Sequence, residues 1–300
     1  METRRLEYFV DICNAGSLTR AAARLGLSQA ALSQQLAILE AEFKTRLLDR
    51  TRTGVKPTAA GEAMLREAQL ILRQVTQARA AVTAESRQLS GTVSVGFTAG
   101  TAALFGVPLM QAARERHPRI RLTFLEAMTG ELTERVINGQ LDMATLLRNE
   151  TRAGVRSTPM YREELHLISP SSYGLPPAVR LAESRSLRIL LPSARQTLRA
   201  LYDAAFRQAE VTPNVVAEID SVSLMRAAVI GGVGATIHPL SSWQDEMQAG
   251  VVRASRIEDV PLSLNFWLSR STPPSTPAAD AIFALLEIAI EKHKPPHSER

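Results

Sequence analysis

Apolar residues in the first ninety positions recur at three- and four-residue steps, the period of helices with one buried face. Leu6, Phe9, Val10 and Cys13 predict a helix over 4–14 that Gly16 ends. Ser17 is placed to cap a second helix with Leu18, Ala21, Ala22 and Leu25 on its apolar side, and Gly26 breaks it. Ser28 then caps a third, in which Leu32, Leu36, Leu39 and Phe43 repeat. Two short helices around a glycine-containing turn predict a helix-turn-helix. After Phe43, "KTRLLDRTRTGVKP" reads as strand, Thr-Gly turn and strand, a β-wing. Thr58 can cap a helix from Ala59 to about Gln88. There Met64, Ala68, Ile71, Val75, Ala78 and Val82 alternate four- and three-residue steps, and Leu89 rejoins the series. That spacing is a heptad seam, open to a partner helix or to the core of its own domain, with Leu65 and Leu72 widening it toward the winged module.

From Thr92 the pattern changes. "TVSVGF", "IRLTFLEA", "LDMATLL", "EELHLISP", "LRILLP", "VVAEI", "VGATIHP" and "DVPLSLNFWLSR" read as strands. Helical stretches lie between them, and a last amphipathic helix runs from about Pro277 to Glu291. This alternation predicts an α/β region with a largely parallel sheet. The tail "KPPHSER" reads as unstructured, its histidine solvated.

With 45% hydrophobic and 22% charged residues, 300 positions can bury a sizeable core in two or three units. The amino-terminal apolar run is broken by Glu7 and Asp11, unlike a secretory signal, and no apolar stretch is long enough to span a bilayer. Cys13 is the single cysteine, which fits a reducing cytoplasm and a small buried hydrophobe better than a reactive thiol. The basic excess is local. Residues 1–90 hold 13 Lys/Arg against 9 Asp/Glu, four of the chain's five excess charges, and Lys44–Lys56 has five bases against one acid. A local excess of this kind is the footprint of a polyanion-binding face.

The third helix begins with uncharged hydrogen-bonding residues: Ser28, Gln29, Ser33 and Gln34, with Ala30 and Ala31 among them. In a helix-turn-helix these turns enter the major groove, where Gln pairs with adenine, Ser bonds bases or phosphates, and a small apolar side chain meets a thymine methyl. Arg50, Arg52 and Lys56 lie on the wing, where phosphates would pass. The run "LEYFVDICNAGSLTRAAARLGLSQAALSQQLAILEAEFKTRLLDRTRTGVKPTAAGEAML" strongly resembles the winged helix-turn-helix of LysR-type transcriptional regulators. It covers about the first 65 residues without a gap, and Ala30 stands where members commonly have Pro. The resemblance implies double-stranded DNA with a partly palindromic operator as partner. It also implies self-association through paired linker helices, to a homodimer and on to a tetramer, with RNA polymerase a further candidate partner.

The rest resembles the two-lobed α/β effector domain of the same family, similar in fold to periplasmic solute-binding proteins. "NGQLDMATL" and "GGVGATIHP" match its G-x-L-D-x-A and G-x-G-x-x-x-x-P segments. The expected organisation is a winged module over 1–58, a linker helix over 59–89 and an effector domain over 90–300. Lobe I is expected at about 92–162 and 267–295, and lobe II at about 163–266. In open α/β lobes ligands bind beyond the carboxyl ends of strands, often on helix N-termini. Three such ends nominate Thr98, Gly100 and Thr101; Met128 and Thr129; and Ser193, Gln196 and Arg199. Hydroxyls, amides and an arginine suit a small organic acid, an amino acid or another anion. Arg148 is a lesser candidate, and His238 stands open as a buried imidazole or an effector contact. "LSGTVSVGFTAGTAA", "INGQLDMA" and "RILLPSARQTLR" are most similar to the nitrogen assimilation control branch, with regulators of aromatic-acid catabolism as the competing branch. No nucleophile–base pair or metal-ligand spacing stands out, so the expectation is no catalytic residues, no metal and no cofactor. The alternative reading is a solute-binding protein without a regulatory role, which would leave the winged module unexplained.

Overall fold

The computed structural model describes all residues except 1, 52–53, 84–88, 153, 273–274, 297 and 299–300. The side chains of Arg50, Arg73, Gln77 and residues 79–83 also lie outside the description.

Helices α1 (Thr3–Ala15), α2 (Leu18–Leu25) and α3 (Gln29–Phe43) form where the apolar periodicity places them. The Ser17 hydroxyl accepts the Arg20 N–H to start α2, and Gly16 and Gly26 end α1 and α2 in left-handed conformations. Leu6, Phe9, Ile12, Leu32 and Leu39 close a core no more than 1% exposed. Phe43, by contrast, is exposed at the end of α3. The wing is a hairpin of β1 (Leu48–Thr51) and β2 (Gly54–Pro57), pairing Asp49 with Lys56 and Arg50 with Val55. Three bonds tie it to the helices. The Glu40 carboxylate accepts the Leu47 and Leu48 N–H groups at 2.8 and 3.2 Å, and the Val55 N–H donates to the Gly16 carbonyl at 3.0 Å.

Helix α4 (Ala59–Thr83) starts at Thr58, whose hydroxyl accepts the Gly61 N–H at 3.0 Å and donates to the Arg46 carbonyl at 2.8 Å. Gly61 has no substitute here, because a Cβ would sit 1.9 Å from the Leu47 carbonyl oxygen. The heptad seam divides. Ala68 is fully buried in the winged module's own core, and Met64, Leu65, Ile71 and Leu72 pack against that core. Met64, Ile71 and Val75 are half-buried and Ala78 is exposed, while the Val82 side chain is outside the description. The first turns of α4 cover the underside of α1, and that takes half of the seam. The linker expected to reach Gln88 is described only to Thr83, and Leu89 packs against the effector core instead of extending the seam.

The effector region contains β3 (Gly91–Phe97), α5 (Ala99–Arg116), β4 (Ile120–Glu126), α6 (Thr129–Ile137), β5 (Met143–Leu146) and β6 (Val155–Pro170). After β6 come β7 (Ala178–Val179), β8 (Arg188–Leu191), α7 (Thr197–Gln208), β9 (Asn214–Glu218), α8 (Val222–Ile230) and β10 (Thr236–Pro239). The region closes with α9 (Gln244–Gln248), β11 (Val252–Ile257), β12 (Ser263–Ser271) and α10 (Pro277–His293).

The sheet is mixed, not largely parallel. Its order is β4-β3-β5-β12-β6-β11-β7, with β10 also on β6 and β12 antiparallel to both neighbours. A second sheet pairs β8 with β9, and a parallel bridge from Ile189 to Ala235 brings it beside β10. Strand β6 is twice as long as the pattern predicts because it serves both lobes: residues 155–164 pair with β12 and 165–170 with β10 and β11. The chain returns to lobe I between Ile257 and Ser263, a few residues before the expected position. The "LD-x-A" segment has a structural explanation: the Asp142 carboxylate accepts the Ser94 N–H and hydroxyl, both at 2.7 Å, locking β5 to β3.

Candidate functional site

Among the described residues, two places stand out for hydrogen-bonding groups that the fold leaves unused. The first is the head of α3. Gln29, Ala30 and Gln34 are exposed, while Ala31 and Ser33 are half-buried. Ser28, also exposed, caps the helix as expected: its hydroxyl accepts the Ala31 N–H at 3.1 Å and keeps its own O–H to donate. The Gln29 amide carbonyl accepts the Thr19 hydroxyl of α2 at 3.3 Å, which turns the amide's N–H₂ outward. Thr19 carries no signal in the sequence, because only the crossing of α2 over α3 brings the two together. Ala30 is the second residue of α3, where an N–H has no helical acceptor, so Ala supplies a donor that Pro would lack. On the wing Lys56 is exposed; the Arg50 side chain and Arg52 lie outside the description.

The second place is a cavity of about 580 Å³ between the lobes. Thr98, Gly100, Glu126, Met128, Thr129 and Tyr161 line it from lobe I. From lobe II come Gln196, Asp220, Ser221, Arg226, His238 and Trp243, with Phe266 on the returning strand. The N-termini of α5, α6, α7 and α8 all open onto it. The residues preceding the first three, Thr98, Met128 and Gln196, make no side-chain cap bond, so those helix ends keep donors for an occupant. Gln196 also donates to the Met128 sulfur, joining the lobes across the mouth.

Five of the eight residues nominated from the sequence line this cavity: Thr98, Gly100, Met128, Thr129 and Gln196. Three do not. Thr101 is fully buried behind the wall, its hydroxyl 2.9 Å from that of Thr98 and 2.5 Å from that of Thr145. Ser193 is turned onto Asp220, donating its N–H at 2.9 Å and its hydroxyl at 2.8 Å. Arg199 spends its guanidinium on Asp203, Glu218 and the Pro192 carbonyl. Arg148 pairs with Glu150 at 3.7 Å and lines nothing here. Carboxylates thus take Arg148 and Arg199, two of the cations that the sequence offers to a ligand.

The lobe II wall is unusual. His238 stands opposite His166 in the β10–β6 ladder, 6.1 Å edge-on from the Trp243 ring. Burial pushes the His238 imidazole down to about 4, helped by Arg226, so it is neutral, and its Nδ1 has no partner among the described residues. The Tyr161 hydroxyl and the Trp243 indole N–H are also buried without partners among the described residues. Burial, reinforced by Glu163, holds the Tyr161 phenol far above its ordinary range, so it remains a neutral donor. Glu163 lies at the crossing of β6, where burial raises its carboxyl although Ser241 donates both N–H and hydroxyl to it at 2.9 and 2.8 Å. Arg226 lies 5.3 Å over Trp243 and is paired with Glu246 and the Ser242 carbonyl. Asp220 and Ser221 are readable in the sequence as a capping signal after "VVAEI"; Tyr161 and Trp243 carry no local signal. Cys13 is removed from chemistry, its thiol pushed up to about 12 by burial. Among the described residues no cluster of side chains could hold a metal ion, and no helix is long and apolar enough to cross a membrane.

Residues 3–62 match the model for the bacterial regulatory helix-turn-helix proteins of the lysR family, and residues 86–289 match the LysR substrate binding domain. The nitrogen assimilation regulatory protein nac of Escherichia coli (strain K12) is 38% identical over 276 residues, 92% of this chain and 86% of that protein. Its namesake from Klebsiella aerogenes is 36% identical over 95% of this chain and 94% of the relative. In fold the chain is similar to a full-length OxyR variant from Pseudomonas aeruginosa, with a TM-score of 0.78 and 22% identity over 98% of this chain and 96% of that one. It is similar also to full-length CbnR complexed with its target DNA, with a TM-score of 0.67 and 23% identity over 98% of this chain and all of the other.

Proposed function

Because the chain belongs to the LysR family of transcriptional regulators, we propose that the head of α3 reads the operator and that the interlobe cavity receives the effector. Gln29, Ala30 and Gln34 face base edges, and the wing's Arg50, Arg52 and Lys56 carry the phosphates. The protein works in the cytoplasm, consistent with its single cysteine. It assembles at least as a dimer, through α4 beyond Ile71, and by family pattern as a tetramer that meets RNA polymerase. Two recognition helices then fall on two half-sites of a partly palindromic operator. The regulated genes are those of nitrogen assimilation, in keeping with the relatives that are 36–38% identical over nearly the whole chain.

One observation carries the DNA reading. The exposed, uncharged amide of Gln29 is oriented by Thr19 at the uncovered end of a recognition helix, and the positive charge stands apart on the wing. The test is a gel shift of the full chain on DNA from upstream of its own gene at about 0.15 M salt, against scrambled competitor. Specific complexes should survive an excess of competitor. Equal displacement by specific and scrambled DNA would defeat the proposal.

A further inference from the structure

The charges around the cavity disagree with a simple anion site. Arg226 is the only Lys or Arg among the lining residues, and it is already engaged by Glu246 and the Ser242 carbonyl. Two carboxylates line the same space. Asp220 is satisfied by Ser193, but Glu126 is exposed and its carboxylate has no partner among the described residues. The position of Glu126 matters most. It ends β4 directly beside Phe97 of β3, and the Ala127 N–H bonds the Phe97 carbonyl at 3.1 Å. Helix α5 begins at Ala99, just beyond Phe97, and α6 begins at Thr129, just beyond Glu126 itself. Glu126 therefore stands between two uncapped helix ends. Those ends attract a carboxylate, while Glu126 repels one unless the ligand brings its own positive charge.

A second, independent set of observations marks the space as built for an occupant. Tyr161 and Trp243, each 2% exposed, belong to the cavity wall, and the hydroxyl of one and the indole N–H of the other are buried within that wall without a partner among the described residues. Such orphaned donors are rare in folded proteins. Phe266 stacks on Tyr161 with ring centroids 4.4 Å apart, which makes that wall broad and apolar.

We propose, on the effector reading given above, that this cavity binds a free α-amino acid with a sizeable apolar side chain. The carboxylate is received by the N-termini of α5 and α6, the ammonium group by Glu126, and the side chain by the stacked ring faces of Tyr161 and Phe266. The ligand is then neutral overall, and its two charges match the two signs of potential that the strand ends of lobe I present.

The experiment is calorimetric titration of the full chain with L-leucine, L-methionine and L-phenylalanine, and with the deaminated acids 4-methylpentanoate and 3-phenylpropanoate, on wild type and Glu126→Gln. In the wild type at least one amino acid should bind about tenfold or more tightly than its deaminated counterpart, the effect of a hydrogen-bonded charge. Glu126→Gln, an exposed isosteric change, should erase that preference by weakening the amino acid alone. Equal or tighter binding of the deaminated acids, or a preference that survives Glu126→Gln, would overturn the amino-acid assignment and leave an effector site standing. If none of the five compounds binds, the assignment of an apolar amino acid falls, and the effector role of the cavity rests on ligands of other classes.

Discussion

At the head of α3 the hydrogen-bonding groups stand in water; around the interlobe cavity they are withdrawn from it. Gln29 and Gln34 lose nothing when DNA is absent, because solvent satisfies their amides. Tyr161, Trp243 and His238 have no such substitute, and each buried orphan costs the empty fold about 1–3 kcal/mol. The two regions also separate charge from recognition in different ways. The DNA face places neutral readers on a helix and cations on a neighbouring hairpin. The cavity has helix ends where a cation would be expected, because Arg199 and Arg226 are consumed by nearby carboxylates. An exposed reader can therefore change with little effect on stability, whereas a buried wall residue such as Tyr161, Trp243 or His238 cannot change without moving stability and binding together.

The largest effect should come from separating the regions altogether. Gly61→Val puts side-chain carbon where the Leu47 carbonyl oxygen lies, and should destabilise the winged module by more than about 3 kcal/mol. Hydrogen exchange should show α1–α3 opening while the β3–β5 core keeps its protection. Equal loss in both regions would mean that they fold as one unit.

Next comes the pH response of the cavity wall. His238 has its folded pKa depressed to about 4, so the unfolded chain binds the proton more readily. Its contribution is undiminished above pH ~6.5, and stability is lost as pH falls toward ~4, by up to about 1.4 kcal/mol per pH unit. Thermal unfolding of wild type against His238→Gln should therefore diverge below pH ~6.5, with the wild type losing more. Parallel curves would show that His238 is not neutralised by burial.

Gln34→Ala should leave stability within about 0.5 kcal/mol. In the same variant, preference for the operator over single-base variants should fall by about 1–3 kcal/mol. Lys56→Ala should weaken all DNA alike and reduce the salt slope by about one. Matching specificity losses in the two variants would erase the division between readers and phosphate contacts. The smallest effect belongs to Tyr161→Phe, which removes an orphaned hydroxyl and should stabilise the empty protein by about 1 kcal/mol. A destabilised empty protein would contradict the hydroxyl's isolation.

What is legible in the chain follows the same division. Helices α1–α3, the wing and the Thr58 cap are written in contiguous signals, glycines and caps a few residues from what they control, and all form as predicted. The α5, α6 and α7 openings are legible for the same reason, since each strand end precedes its helix directly. Ser193 misleads because its partner, Asp220, lies 27 residues away; Arg199 is shared between Asp203, four residues on, and Glu218, 19 residues away. The heptad seam is sound as apolar spacing, yet spacing does not say whether Ala68 meets a second chain or its own α1. Strand β6 is only half visible because its first part, Val155–Arg162, alternates without the strong apolar run that marks its second.

Whether α3 reads sequence is tested most directly by selecting bound duplexes from a randomised pool. The full chain, at about 0.15 M salt, should enrich a partly palindromic site. Its half-sites should lie about one or two helical turns apart, and Gln29→Ala with Gln34→Ala should blur the bases within each half-site while preserving their spacing. A pool that emerges unenriched, or a consensus unchanged in the double variant, would contradict the assignment of α3 as the reader.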